Sequence, residues 1–317
     1  MPGSPAAVFR SPAFLGHNTG DHVERAARIA AIDRELERRH LLDERPQAGF
    51  TPATDAQILT VHTSRHLSTI EAFARGGGGW IDHDTVVRTD SVEVARLAAG
   101  AGIAAVDGIL EGAFARAFVI ARPPGHHATP DRAMGFCLLN TVAIAAAHAR
   151  TRGVERVAIV DWDVHHGNGT QDIFYKDASV LYCSIHQSGP MFFPGTGWHD
   201  ETGLGEGEGF TVNVPLPAGT GGEEFVETFR STVVPAVDAF RPGLLLVSAG
   251  YDAHAHDPIG GMQLDDVAYD TLAREAVALA DRWCGGRIAF VLEGGYDVDA
   301  LARGVANTID VLDGTRS

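Results

Sequence analysis

The chain has 317 residues, of which 45% are hydrophobic and 21% are charged, the proportions of an ordinary soluble globular protein with room for a large core. The formal net charge of −16 argues against nonspecific nucleic-acid binding, and no apolar run is long enough to span a bilayer. The N-terminal residues lack the pattern of a signal peptide, and Cys137, Cys183 and Cys284 lack paired spacing, so we expect a cytoplasmic protein without disulfides.

Helices and short apolar strands alternate along the sequence. Helices are predicted where apolar residues recur at three- and four-residue spacing, and central parallel strands where short Val-, Ile- and Leu-rich runs are bounded by Gly, Pro or Asp. In chain order the predicted elements are helix 22–42, helix 91–111, strand 117–121, helix 138–150, strand 156–162, strand 179–186, helix 223–240, strand 244–250, helix 265–283, strand 288–295 and helix 298–312. This alternation implies one sheet covered by helices on both faces, and no repeat or linker divides residues 1–317 into separate domains.

Polar residues gather in the loops that follow four of these strands. The loop sequences are RPPGHHATPDRAMGFC, DWDVHHGNG, YDAHAHDP and EGGYD. In open α/β sheets, ligands bind outside the carboxyl ends of the strands. The four loops are therefore predicted to converge on one rim and to form an active site there.

A divalent metal site is predicted from the spacing of ionisable residues after two strands. In extended chain, side chains two residues apart point to the same side, so Asp163 and His165 can bind one ion together. Asp252, which follows another strand, is the best third ligand. Zinc is the first choice, although two carboxylates and an imidazole also suit Fe²⁺, Co²⁺ or Mn²⁺. The alternative is that Asp161 and Asp163 only cap the following turn.

Adjacent histidines in RPPGHHATP are candidates for acid–base catalysis. Gly125 permits a tight turn that presents His126 and His127 inward, although a histidine pair can also be structural. Tyr296, beside a glycine pair, could donate a hydrogen bond to a developing oxyanion; the alternative is a ring packed at the sheet edge. Weaker candidates, interpreted as surface residues or supports of the site, are His166, His254 and His256.

Six motifs occur together in the order found in a known family. They are RPPGHHA, GFCLLN, DWDVHHGNGT, FFPGTG, SAGYDAHAHDPIGG and LEGGY. On these motifs the chain resembles the histone deacetylase family, and most closely its class II-like branch, which includes bacterial acetyl-amide amidohydrolases. The resemblance implies the three-layer arginase-deacetylase α/β fold, with an eight-stranded parallel sheet flanked by helices. It also implies a zinc-dependent hydrolase that removes acetyl or other acyl groups from acyl-lysine by means of metal-activated water.

The resemblance assigns roles to residues at the matching positions. It implies that Asp163, His165 and Asp252 bind zinc and that Tyr296 stabilises the transition state. His127 would be the general base and then the general acid, with His126 as its electrostatic neighbour, paired with Asp161. Residues implied to bind substrate in and around the acyl-lysine tunnel are Gly135, Phe136, Phe193, Asp84 and, at the tunnel mouth, Ile259, with Asp82 as the fallback for Asp84. Residues implied to surround a structural potassium ion are Asp161, Asp163, His165, Ser184 and Ile185.

Asn168 departs from the class I pattern, in which an aspartate faces the second histidine. The class II-like branch also carries Asn here. An uncharged partner would leave His127 less basic and more often neutral near pH 7.

The sequence leaves three other functions open. An acetylpolyamine amidohydrolase acting on small acetylated amines is the closest, although Ile259 stands where the polyamine-selective branch carries an acidic residue. A two-metal ureohydrolase would need further aspartates where His166 and Asn168 stand. A non-catalytic reader of acyl-lysine would usually have lost a ligand or the tyrosine. We expect no nucleic-acid or membrane partner, and a homo-oligomer is possible.

Overall fold

A seven-stranded parallel sheet forms the centre of the computed structural model, which describes residues 5–43, 45 and 49–316. Across the sheet, the strands are β1 (Ala7–Phe9), β4 (Arg116–Val119), β9 (Ile288–Leu292), β8 (Leu244–Ala249), β5 (Val157–Asp161), β6 (Val180–Ser188) and β7 (Thr211–Pro217). A separate antiparallel hairpin joins β2 (Gly79–Trp80) and β3 (Val86–Val87). All five predicted central strands are confirmed, and they lie side by side.

The two edge strands were not predicted, and the expected eighth strand is absent from the described residues. β1 has only three residues, too few to show a pattern. β7 contains Pro215 and Pro217, residues that argue against a strand unless it lies at an edge, where a missing N–H costs no sheet hydrogen bond.

Ten α-helices lie in the described residues. They are α1 (Ala27–Arg38), α2 (Asp55–Ile58), α3 (Ser64–Arg75), α4 (Ser91–Leu110), α5 (Thr141–Thr151), α6 (Asn168–Phe174), α7 (Gly222–Thr228), α8 (Val234–Phe240), α9 (Asp266–Trp283) and α10 (Val298–Asp313). In one layer α10 packs on both α1 and α9, and α7 and α8 pack on α9. In the other layer α4 packs on α3 and α5, and α5 also packs on α2 and α6. Among helices of the described ranges, none combines the length and the apolar character needed to cross a membrane.

The predicted helices are all present, with shifted ends. The helix expected to begin at residue 22 begins at Ala27, because the preceding residues form turns that bury Glu24. The helix expected from residue 138 begins after Asn140, whose side chain caps it by accepting the Ala143 N–H at 3.0 Å. The helix expected over 223–240 is divided by a π-helical turn, Phe229–Val233.

Burial explains why the central strands are almost continuously apolar. Every residue of β5, β8 and β9 is buried, as expected for parallel strands covered on both faces. The three cysteines are also buried and free, in agreement with their unpaired spacing.

The order of the strands determines where a ligand can bind. From β5 the chain continues to β6 on one side, while β8 pairs with β5 on the other. Loops after β5 and β8 therefore diverge and leave a crevice at the carboxyl ends of the two strands, which is where open α/β sheets bind ligands.

Candidate metal centre and active site

The loops after β5 and β8 bring the three predicted metal ligands together. β5 and β8 are in register, with Asp161 opposite Ser248. The residues that follow the two strands therefore leave the sheet at the same level. Asp163, His165 and Asp252 each place one ligand atom within 4.8 Å of the others, and all three side chains are buried. The geometry fits the predicted ligand set.

Unsatisfied acceptor capacity in this cluster fits a cation. The Nδ1 atom of His165 lies 3.1 Å from Asp163 Oδ1 and 3.2 Å from Asp252 Oδ2. Although it is buried, Asp252 Oδ2 accepts no hydrogen bond from any described residue. Burial and the charge of Asp163 raise the pKa of Asp252 to about 7. Because two buried carboxylates repel each other without a counter-charge, a divalent ion is the group that this donor set suits.

Backbone N–H groups orient the carboxylates of Asp163 and Asp252 by hydrogen bonds. The Val164 N–H donates to Asp252 Oδ1 at 2.8 Å, and the Gly294 N–H donates to Asp163 Oδ2 at 2.8 Å. A side chain at residue 294 would not fit, because a Cβ there would overlap Asp252 Oδ2 and lie 2.6 Å from Asp163 Oδ2. The loop after β9 thus supports ligands that belong to β5 and β8.

His126 is held in the charged form by carboxylates. Its Nδ1–H donates to Asp161 Oδ2 at 3.0 Å, and the same oxygen accepts the Tyr182 hydroxyl at 3.1 Å. Burial alone would lower the pKa of His126, but the charges of Asp161 and Asp163 outweigh burial and raise it to about 10. The neighbouring carboxylates therefore favour the protonated form of His126.

His127, in contrast, is held neutral. Burial, with the positive charges of His126 and His165, lowers its pKa well below the ordinary value. Its Nδ1 lies 2.8 Å from the Asn168 amide oxygen, an acceptor, so Nδ1 carries the proton. The lone pair of Nε2 is then free to accept a proton from a bound molecule.

A narrow cavity leads to these groups. Its volume is about 70 Å³. It is lined by Asp84, Pro124, His126, His127, Gly135, Phe136, His165, Phe193 and Tyr296. The Phe193 ring packs edge-on against His127 with centroids 4.9 Å apart, and the Phe136 ring packs edge-on against Tyr296 at 5.8 Å. Such a space admits a thin aliphatic chain and excludes bulky groups.

The Tyr296 side chain lies between a cation and an aromatic wall. The Arg28 guanidinium carbon lies 4.9 Å from the centre of the tyrosine ring. Arg28 also donates hydrogen bonds to the carbonyls of Glu293 and, at 2.7 Å, Gly295. Burial raises the pKa of the Tyr296 phenol well above its ordinary value, so the hydroxyl remains a hydrogen-bond donor.

The residues predicted at the rim of the acyl-lysine tunnel do not all line the cavity. Asp84 lines the cavity, whereas Asp82 is 2.9 Å from both the Arg132 guanidinium and His83 Nδ1 and is absent from the lining. Ile259 also does not line the cavity; its N–H donates to Asp257 at 3.0 Å.

Three of the residues predicted around a potassium ion, Asp161, Ser184 and Ile185, lie on the paired strands β5 and β6, whereas Asp163 and His165 follow β5. Ser184 is opposite Asp161 in the register of β5 and β6, and both are fully buried. The Ser184 hydroxyl lies 2.9 Å from His186 Nδ1. The cation itself stays a prediction.

The weaker histidine candidates have other partners. The two ring nitrogens of His166 lie 2.8 Å from the Thr196 hydroxyl and 3.0 Å from Gln171 Oε1. His254 Nε2 lies 3.2 Å from Asp266 Oδ1, and His256 is exposed. His166 is therefore not turned towards a second metal ion.

Sequence reasoning did not single out two buried ionic groups behind the site. Glu293 accepts the N–H groups of Gly125 at 2.6 Å and His126 at 3.1 Å, so it holds the histidine loop. The sequence could have indicated Glu293, because a charged residue directly after a buried strand lies at the rim where ligands bind. Arg28 was not named either; with Glu24 it shows i, i+4 spacing, and both side chains are fully buried.

Comparison with known proteins shows which family this chain resembles. Residues 22–312 match the histone deacetylase domain family. The chain is 42% identical to a probable deacetylase of Methanothermobacter thermautotrophicus, over 97% of this chain and 90% of that protein. It is 40% identical to the histone deacetylase-like amidohydrolase of Pseudomonas aeruginosa, over 96% of this chain and 79% of that protein. The crystal structure of the HDA15 HD domain superposes with a TM-score of 0.93 at 37% identity, covering 98% of this chain and 90% of that one.

The chain belongs to the histone deacetylase family, and it is a hydrolase of the deacetylase class. Its fold is the arginase-deacetylase α/β fold, as the resemblance implied, with seven sheet strands in the described residues where eight were expected.

Proposed function

We propose that this protein is a zinc-dependent hydrolase that removes acetyl or other acyl groups from the side-chain amine of acyl-lysine in peptides or proteins. One observation carries the proposal: the buried cluster of Asp163, His165 and Asp252 adjoins a narrow cavity beside a neutral His127. A site of this kind combines metal ligands, a free base and a space for an extended aliphatic chain.

Asp163, His165 and Asp252 would hold one Zn²⁺ ion. When bound, zinc supplies Lewis-acid polarisation of the amide carbonyl and makes water more acidic. We also propose a structural potassium ion near Asp161 and Ser184, where buried oxygen atoms lie directly behind the zinc ligands.

His127 would move the proton in both halves of the reaction. Its unprotonated Nε2 accepts a proton from the water that attacks the carbonyl carbon. When the carbon–nitrogen bond breaks, the same atom gives that proton to the leaving amine, and acetate is the other product. The positive charge of His126, held by Asp161, favours the negative charge that develops nearby.

Tyr296 would donate its phenolic hydrogen to the oxyanion. Its raised pKa keeps the donor protonated throughout the physiological range. Removal of one preorganised oxyanion donor costs on the order of 10²- to 10³-fold in turnover in other hydrolases, and we expect Tyr296→Phe to lose at least that much.

The tunnel walls would select the substrate. Phe136 and Phe193 would hold the aliphatic stem of an acylated lysine, and Gly135 leaves room for it. Asp84, at the cavity lining, would accept hydrogen bonds from the substrate backbone.

Side-by-side kinetics test this proposal. The zinc-loaded protein is assayed on an acetyl-lysine peptide, on longer acyl-lysine peptides and on acetylspermidine, with Tyr296→Phe as the inactive control. We expect kcat/KM to be highest on an acyl-lysine peptide. A clear preference for acetylspermidine would replace the proposed substrate with small acetylated amines, and full activity of Tyr296→Phe would contradict the role of the phenol.

A further inference from the structure

One carboxylate joins the loop that carries a metal ligand to the loop that carries Tyr296. Asp257 Oδ1 accepts the N–H groups of Ile259 at 3.0 Å and Gly260 at 3.3 Å, within the loop after β8. Its Oδ2 accepts the N–H groups of Tyr296 at 2.7 Å and Asp297 at 3.4 Å, in the loop after β9. Each oxygen of Asp257 therefore serves a different loop.

These bonds connect the two sides of the catalytic site. Asp252, a metal ligand, lies five residues before Asp257 in the same loop. Gly260, held by Asp257, packs so closely on Asp252 that a Cβ there would overlap the Asp252 carbonyl oxygen. Closer to the sheet the same two loops are joined by the Tyr251 N–H, which donates to the Gly294 carbonyl at 3.1 Å, and Asp257 adds a second connection beside Tyr296 itself.

An amide could not make the same four hydrogen bonds as this carboxylate. In the described residues Asp257 hydrogen-bonds only to backbone N–H groups, so it is not committed to an arginine or a lysine. An ionised carboxylate offers acceptor positions on both oxygens, whereas an amide has an acceptor on one side and a donor on the other. An asparagine would therefore turn an N–H group towards one of the two loops.

Asp257 complements the other contact that holds the Tyr296 loop. Arg28 donates a hydrogen bond to the Gly295 carbonyl of this loop, whereas Asp257 accepts hydrogen bonds from N–H groups of the same loop. With 9% of its surface exposed, Asp257 makes these bonds largely away from water, where they restrict motion most effectively.

We propose that Asp257 is a positioning residue for the reaction: it fixes the Tyr296 phenol relative to the metal ligand Asp252 without touching the substrate. The inference rests on the proposed function, because it gives Tyr296 its role as oxyanion donor. Small misplacements of a catalytic group can cost up to about 10²-fold in rate, so the effect falls on turnover rather than on substrate binding.

A double-mutant cycle tests the inference. Asp257→Asn is prepared in the wild-type protein and in Tyr296→Phe, and kcat and KM are measured on an acetyl-lysine peptide with zinc-loaded protein. We expect Asp257→Asn to lower kcat about 10- to 100-fold with KM changed less than about 2-fold. In Tyr296→Phe, where the donor is already missing, the same substitution should change kcat by less than about 2-fold. Equal losses on both backgrounds, or no loss, would overturn the inference.

Two further measurements separate positioning from general damage. Asp265→Asn is the matched control, because Asp265 also accepts a backbone N–H, that of Ala268 at 2.9 Å, at the start of α9. Because Asn caps a helix about as well as Asp, this substitution should leave both kcat and thermal stability near their wild-type values. Zinc affinity of Asp257→Asn, measured by competition with a chelator, should stay within about 2-fold of wild type. A parallel loss of zinc affinity would show that the substitution acts on Asp252 instead, and the inference would fail.

A measurement on the wild-type protein covers the case in which Asp257→Asn does not fold. Hydrogen exchange of the segment that contains Tyr296 and Asp297 should be slowed more than about 10²-fold relative to the unfolded chain. Rapid exchange of these two amides would refute the connection. If the wild-type protein hydrolysed none of the acyl amides, the proposed function would fail, while slow exchange would still support the Asp257 connection.

Discussion

Two neighbouring residues form the tunnel wall in a backbone conformation that few residues adopt. Gly135 has φ of +56° and Phe136 has φ of +68°, so both lie in the left-handed region. A Cβ at residue 135 would overlap His127 Cδ2 and lie 2.9 Å from the Phe193 ring. Glycine at this position therefore permits the left-handed backbone conformation and also leaves space beside His127.

Gly135→Ala separates these two effects when it is compared with Gly153→Ala. Gly153 also has a positive φ, +91°, but a Cβ there meets nothing within 4 Å. Both substitutions should cost about 1–2 kcal/mol of stability through the left-handed backbone. Only Gly135→Ala should also lower kcat/KM, by about 10²-fold, because His127 is displaced. Equal kcat/KM values for the two variants, measured on an acetyl-lysine peptide, would argue against Gly135 as part of the site.

At the scale of elements, the parallel register of β5, β8 and β9 assembles the metal centre. Asp161 is opposite Ser248 on β8, and Ser248 is opposite Val291 on β9, so the three loops leave the sheet at the same level. The loop after β9 contributes Gly294, which contacts Asp163 and Asp252, two of the proposed metal ligands.

Gly294→Ala should weaken zinc binding. The added methyl group would push on the carboxylates of Asp163 and Asp252, and disturbance of groups that orient metal ligands typically costs about 10- to 100-fold in affinity. Affinity is measured by competition with a chelator. Gly221→Ala is the control, because a Cβ at residue 221 meets nothing within 4 Å. Unchanged affinity in Gly294→Ala would contradict the close packing of this loop on the ligands.

At the scale of the whole molecule, buried histidines couple folding to pH. His62 Nδ1–H donates to the Thr129 carbonyl at 2.9 Å, and its Nε2 accepts the Asn140 N–H at 2.9 Å, so the ring must be neutral. Burial, with nearby His66, lowers the pKa of His62 from 6.5 to about 3. Burial likewise lowers the pKa of His186 to about 4.

The stability of the protein should therefore fall in mildly acidic solution. Below pH 6.5 the unfolded chain binds a proton at His62 while the folded chain does not, so the contribution is full above pH 6.5 and is lost as pH falls towards about 3. One such group changes the free energy of unfolding by about 1.4 kcal/mol per pH unit. His62→Gln retains a donor and an acceptor but cannot titrate, so its stability should depend on pH less steeply by that amount.

Urea unfolding of metal-stripped protein between pH 4.5 and 6.5 measures this difference. The metal is removed beforehand so that its release on unfolding does not contribute to the change of unfolding free energy with pH. His256→Gln is the control, because His256 is exposed, and its slope should match that of wild type. Identical slopes for His62→Gln and wild type would show that His62 takes up a proton in the folded state.

The sequence by itself was sufficient for the central architecture and for finding a cluster of residues that could hold a metal ion. Short apolar runs located β4, β5, β6, β8 and β9, because buried parallel strands must be apolar on both faces. The two-residue spacing of Asp163 and His165 predicted that they lie together, and they do, although residues 163–165 form a bend after β5 and not the extended chain that the prediction assumed. Family motifs added the assignments of His126, His127 and Tyr296, which line one cavity.

Only the tertiary structure decided which distant groups support that site. Asp257, Glu293 and Arg28 act through backbone N–H groups and carbonyls of other loops, and such partners leave no periodic pattern in the sequence. The proton position on His127 likewise depends on a contact with Asn168, 41 residues away. The physical reason is that hydrogen bonding and desolvation depend on which groups folding brings within about 3 Å, whereas periodicity reports only which face of an element is buried.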